Sequence, residues 1–265
     1  MVTLRLLVGN LEVRVINTKT FYLTDTGRVR EHNEDSVTIL RNMSGEYLMV
    51  VADGMGGHRK GEVASALTVT HLGKRFSELS KIGTKTDAVN WLNDNLAEIN
   101  AEILDYGEKN ENSKGLGTTV VAAIVTKDFL IFANIGDSAG YVLKNNKLHR
   151  VTKPHTLVNL LVDAGDLTEE EAKTHPKKNV LMKALGAGIK CEPDIFDVDN
   201  GSDAIFLCSD GVTSMLNDDS IEAVLIDDEL TIEEKVVKLI KKCNARGGTD
   251  NISIACLVRE SGDKI

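Results

Sequence analysis

Four aspartates carry the chemistry this sequence could do: Asp53, Asp137, Asp210 and Asp250. Each stands next to a glycine or close behind one, and each falls at one end of an apolar run that reads as a strand. A carboxylate at the end of a buried strand is costly unless something positive meets it. No lysine or arginine follows Asp53 until Arg59, so a metal ion is a natural partner. A helix N-cap with a turn needing positive φ would use the same residue types. If the strands belong to one sandwich, all four acids converge at one edge, where like charges are untenable without cations. Oxygen ligands with no His or Cys among them select hard ions, Mg²⁺ or Mn²⁺, over zinc or copper. No GxxxxGK[ST] occurs and no GxGxxG opens a βαβ unit, so the P-loop alternative fails.

Holding those acids in place falls to the elements around them. Residues 47–52 form an apolar run with paired valines, a buried strand. It stops at Asp53, and Gly54, Gly56, Gly57 and Gly61 follow. From Glu62 the positions Val63, Ala66, Leu67 and Thr70 take helical spacing. Upstream, residues 21–25 read as a short strand and Gly27 as a turn, while residues 1–20 read as an N-terminal extension or edge strand. In the charged run 28–35, Arg28, Glu31 and His32 suit a solvated face. Glu34 and Asp35 open a strand that pairs beside the one ending at Asp53, through a hairpin at Ser44-Gly45.

Downstream, Trp91, Leu92, Leu96, Ile99 and Ile103 place an amphipathic helix over about residues 86–107, with Trp91 in the core. Strands at 120–126, 129–135, 140–143 and 148–151 predict an antiparallel meander, interrupted at Gly136-Asp137-Ser138. Residues 154–178 read as a mobile excursion with a capping box at Thr168 and Glu171, and residues 179–185 as a helix ending at Gly186. A strand over 204–208 closes on Ser209-Asp210-Gly211. A helix over 231–243 carries a second capping box, Thr231 with Glu234, and the last strand covers 252–258. No repeat or linker divides the chain, which predicts a single domain over 21–260.

Of the 265 residues, 42% are hydrophobic and 4% aromatic, so the core must be aliphatic. A net charge of −9 argues against nucleic acid as a partner and suits a protein that collects cations. Cys191, Cys208, Cys243 and Cys256 form no CxxC pair, which points to reduced thiols in a cytoplasmic protein. No apolar stretch approaches membrane-spanning length, and a monomer without a membrane partner is expected.

Together these motifs resemble the metal-dependent type 2C protein phosphatases, in their bacterial serine/threonine branch. The matching segments are Thr24-Asp25-Thr26-Gly27, Arg30 with Asn33-Glu34-Asp35-Ser36, and Val51-Ala52-Asp53-Gly54-Met55-Gly56-Gly57-His58. Further along come Gly115 with Gly117-Thr118-Thr119, Asn134 with Gly136-Asp137-Ser138, Ser209-Asp210-Gly211, and Gly247-Gly248-Thr249-Asp250-Asn251. They keep the family's order over about residues 21–258. The resemblance implies an α+β fold, a four-layer αββα sandwich of two central antiparallel sheets flanked by helix pairs, with a flap at about residues 153–178.

The same resemblance implies Mn²⁺ or Mg²⁺, two core ions and a third, looser one. Asp53 would bridge the core ions, joined by the Gly54 carbonyl and Asp250, with Asp210 serving the other ion. Asp137, with Asp210, would help hold the third. Glu34 and Asp35 would orient metal-bound waters, and Arg30 would bind the substrate phosphate with bidentate donors a lysine lacks. The implied reaction is hydrolysis of phosphoserine and phosphothreonine in proteins by direct attack of a water bridging two ions. The implied partners are phosphorylated proteins and a bacterial serine/threonine kinase. The alternative is a module that binds phosphoproteins without turnover, which degenerate ligands would favour.

Three departures from the pattern stand out. Met55 occupies the place of a histidine in animal members and cannot act as a general acid, which makes His58 a candidate substitute. Ala139 replaces the arginine of the usual GDSR, and Pro154-His155 replaces the usual Asp-His. The last two bear on substrate handling and the third ion.

Overall fold

Strand β3 (Tyr47–Met55) is buried on both faces in the computed structural model, which describes residues 17–56, 60–110 and 115–260. Leu48 and Val50 join the core on one side, Met49 and Val51 the core on the other, as the two-residue pleat requires. Covered twice, the strand reads as an unbroken apolar run instead of an alternating one.

Antiparallel pairing extends from β3 in both directions. On one side lies β2 (Asp35–Arg41); on the other lie β5 (Val120–Val125), β6 (Leu130–Ile135) and β9 (Asp194–Val198), with the short β4 (Gly117–Thr118) pairing at the end of β3. A second antiparallel sheet runs in the order β1 (Asn17–Asp25), β11 (Ile252–Glu260), β10 (Ala204–Cys208), β7 (Ala139–Lys144), β8 (Lys147–Arg150).

The sheets face each other across Met49, Val51, Val121, Phe132, Ile205, Leu207 and Leu257. Helices α1 (Lys60–Ser77) and α2 (Lys85–Lys109) cover the outer face of the β3 sheet. The second sheet is covered by α5 (Asp210–Thr213), α6 (Asp218–Leu225) and α7 (Ile232–Ala245). This is the expected four-layer αββα sandwich.

Local chemistry sets the helix bounds. The reciprocal capping box of Thr84 and Asp87 starts α2, whose Ala88, Leu92, Leu96, Ile99 and Ile103 then fall on one buried face. Thr231 and Glu234 start α7 in the same way, and Val236, Leu239, Ile240 and Cys243 face inward. Each fully buried aliphatic side chain contributes about 1.5–3 kcal/mol. Trp91 sits at the margin of its core, half-buried and edge-on to Phe76 at 5.6 Å.

Several expectations need correction. The four predicted strands after residue 119 are not one meander. β5 and β6 pair in the first sheet and β7 and β8 in the second, so Gly136-Asp137-Ser138 carries the chain between sheets. Residues 179–185 form no helix. Leu185 bridges Thr118 and Leu181 bridges Thr156, and this pairing takes up backbone groups a helix would have used. β1 begins at Asn17 instead of residue 21. The excursion contains α3 (Leu157–Ala164), ended by Gly165 in the left-handed conformation, and α4 (Glu169–Thr174), started by the Thr168–Glu171 box. Residues 1–16 and the candidate acid His58 lie outside the described residues.

Candidate active site

Antiparallel pairing brings the acids together. β3 and β6 run the same way, so Asp53, near the end of β3, and Asp137, just past β6, reach one end of the sandwich. Asp35 opens β2 directly opposite Asp53. In the second sheet Asp210 follows β10 and Asp250 precedes β11, its antiparallel neighbour.

Close backbone contacts fix this end. A Cβ on Gly54 would lie 2.2 Å from Gly61 O and 2.5 Å from Glu34 O, so only glycine lets the end of β3 touch the start of α1. The Gly54 N–H donates to Glu34 O at 3.1 Å. The Glu34 carboxylate in turn accepts from the Gly61 N–H. On the other sheet a Cβ on Gly211 would meet Asn251 O at 2.0 Å.

The electrostatics are those of buried acids crowded together. Burial is the chief cause in each case. It pushes Asp35 up to about 6 and Asp210 up to about 7, with neighbouring acids adding to both. Asp53 is raised well above the ordinary carboxylate range by burial, then by Asp35, Asp210, Asp137 and Asp250. Asp137 is raised by burial too, though its own backbone N–H and Arg150 work against that. Burial opposes the charge on Arg30, but Asp250, Asp53 and Asp210 outweigh it and raise the guanidinium. Arg30 Nη2 donates to Asp250 Oδ2 at 2.7 Å from a side chain 51% exposed.

The donor set fits hard divalent cations. It is all oxygen, and both Asp35 Oδ1 and Asp210 Oδ1 are buried without a hydrogen-bond partner. Among the described residues no three acidic, imidazole or thiol side chains close into a ready-made cage.

Every predicted site residue, Arg30, Glu34, Asp35, Asp53, Gly54, Asp137, Asp210 and Asp250, lies at this end. Of the departures, Met55 is 38% exposed at the rim, and Ala139 is fully buried in the core beneath α5–α7.

Two supports were quoted in the motifs without a role. Ser209 Oγ donates to Asp35 Oδ2 at 2.7 Å and accepts from the Ser253 N–H at 3.0 Å. Asn251 is a buried clamp: its Nδ2 donates to Thr26 O and His32 O, and its Oδ1 accepts from the Glu34 N–H, all at 2.9 Å. That one side chain pins both ends of the loop carrying Arg30. Asn251→Ala removes the hydrogen bonds to three backbone groups, those of Thr26, His32 and Glu34, and should cost on the order of 3 kcal/mol in urea unfolding. It should also raise KM for phosphate esters, because Arg30 loses its fixed place.

Two sheets between helical layers, with buried carboxylates and an arginine at one end, are the build of metal-dependent phosphoester hydrolases. Residues 26–245 match the family Protein phosphatase 2C, and the chain belongs to that family. It is 40% identical over 244 residues to the serine/threonine phosphatase stp of Listeria monocytogenes serotype 4b, covering 92% of this chain and 96% of that one. The crystal structure of serine/threonine phosphatase Stp1 from Staphylococcus aureus superposes with a TM-score of 0.85 at 34% identity, covering 97% of this chain and all of that one. The catalytic domain of the serine/threonine protein phosphatase PstP, solved with two manganese ions, gives a TM-score of 0.78 at 31% identity, over 92% of this chain and 99% of that one.

Proposed function

We propose that this chain hydrolyses phosphoserine and phosphothreonine in proteins, using two core divalent ions, Mn²⁺ or Mg²⁺, and a third held more loosely. The observation that carries this is the meeting of five aspartates from two sheets at one end, with two buried carboxylate oxygens unpartnered and Arg30 beside them. The manganese in PstP and the names of the relatives support it.

We assign Asp53 to both core ions, the Gly54 carbonyl and Asp250 to one, Asp210 to the other, and Asp137 with Asp210 to the third. When bound, such ions acidify water enough for it to attack phosphorus and neutralise charge on the phosphate oxygens. The protein's own part is positional. Asp35, held by Ser209 through one oxygen, leaves its other oxygen to orient the attacking water, with Glu34 beside it. Arg30 reaches the rim and must release Asp250 to turn its donors to a phosphate. The Met55 thioether has no proton to give, so protonation of the departing serine or threonine oxygen falls to water or to another group.

Among the described residues no helix is long and apolar enough to cross a membrane. We further propose a cytoplasmic monomer working against a serine/threonine kinase; the four free, buried cysteines support a reducing compartment.

The test is hydrolysis of p-nitrophenyl phosphate and of a phosphothreonine peptide. Both should turn over with Mn²⁺, stop with excess EDTA and recover when Mn²⁺ is restored, with the higher kcat/KM on the peptide. A folded, Mn²⁺-replete protein that binds the peptide without hydrolysing either substrate would contradict the enzyme reading and leave a phosphoprotein-binding module.

A further inference from the structure

His155, which follows the departing Pro154, has a defined task in this fold. It stands where the chain leaves the second sheet for the excursion carrying α3 and α4, and its side chain is 14% exposed. Two of its groups grip Gly136. The His155 backbone N–H donates to Gly136 O at 2.9 Å, and the Gly136 N–H donates to His155 Nδ1 at 3.0 Å. With Nδ1 accepting, a neutral ring carries its proton on Nε2. That nitrogen lies 3.0 Å from Asp194 Oδ2, off the hydrogen-bonding axis, while Lys183 Nζ donates to the other Asp194 oxygen at 3.0 Å.

The surroundings make Gly136 a fulcrum. It sits at φ 110, and a Cβ there would lie 2.5 Å from the Thr119 side chain. Asn134 Nδ2 links Gly136 O to Lys153 O, and the Met182 N–H returns to His155 O at 2.8 Å. The next residue is Asp137, whose direction depends on how this peptide is held.

We propose that His155 is a positioning residue: by accepting the Gly136 N–H it holds the turn that aims Asp137, and so sets how tightly that side of the site binds a divalent cation. The second half rests on the metal reading above; the first does not. Partners that orient a ligand without touching the metal typically change affinity about 10- to 100-fold when removed.

The experiment compares His155→Phe, which keeps a ring but deletes the acceptor, with His155→Asn, which keeps an acceptor near the place of Nδ1 but loses the ring. Amide exchange at Gly136 and the Mn²⁺ concentration for half-maximal activity are read for both, in the wild-type and Asp137→Ala backgrounds. His155→Phe should speed Gly136 exchange and raise the Mn²⁺ requirement about tenfold or more, and His155→Asn should restore most of both. In the Asp137→Ala background His155→Phe should add nothing to the Mn²⁺ requirement, since the two act as one unit. Wild-type behaviour in His155→Phe with loss in His155→Asn would show a packing role and overturn the proposal. A Mn²⁺ effect that persists without Asp137 would overturn it as well. Faster Gly136 exchange in a protein whose activity never depends on Mn²⁺ would uphold the contact and overturn both the cation half and the metal reading.

Discussion

Asp53→Asn should abolish turnover and at the same time make the metal-free protein harder to melt. Asp53 faces Asp35 across the β2–β3 pair and lies within electrostatic reach of Asp210. Its carboxyl is held well above its usual range, by burial first and then by four neighbouring acids. Asparagine keeps the shape and removes one charge from this cluster, so repulsion in the metal-free state falls. The melting temperature should rise by a few degrees, since about 1 kcal/mol moves it by roughly 2–4 °C in a chain of this size. Activity at saturating Mn²⁺ should fall about a thousandfold or more, roughly 4 kcal/mol of transition-state stabilisation. Gain in stability with loss of activity is the mark of a site that holds its groups in strain for function. A lower melting temperature would mean that Asp53 serves the fold.

Gly54→Ala should be severely damaging. The new methyl would lie 2.2 Å from Gly61 O and 2.5 Å from Glu34 O, both backbone atoms that cannot swing aside. β3, the start of α1 and the Glu34 peptide must then separate, and activity should be lost with them. Urea unfolding should show a cost of about 3 kcal/mol, at the upper end for overpacking. Gly45→Ala is the control: Gly45 has φ 81 but nothing within 4 Å of a Cβ, so it should lose only the roughly 1 kcal/mol of a left-handed residue and keep its activity. Equal costs at the two positions would show that the close contacts at Gly54 relax at little cost.

What the sequence made legible follows from physics local to the chain. β3 announced itself because burial on both faces leaves an unbroken apolar run, α2 because its apolar stripe is regular, and α7 because a capping box sits one turn before such a stripe. The aspartates were visible because each interrupts such a run beside a glycine. Sheet membership was not visible: Gly136-Asp137-Ser138 has the composition of a hairpin turn yet crosses between sheets. Residues 179–185 mislead for a related reason. Leu181, Ala184 and Leu185 have helical spacing, but pairing with Thr118 and Thr156 decides the backbone. β9 and α6 gave no signal strong enough to be placed.

Within the site, ligand candidates could be read and their supports could not. The duties of Ser209 and Asn251 are contacts to residues 174 and 217 positions away. Asp194 opens a strand that no pattern marked.

The most direct measurement is a calorimetric titration of Mn²⁺ into the metal-free wild type and Asp53→Asn. The account predicts at least two ions per wild-type chain and the loss of high-affinity binding in the variant, because Asp53 serves both core ions. Equal stoichiometry and affinity in the two proteins would contradict it.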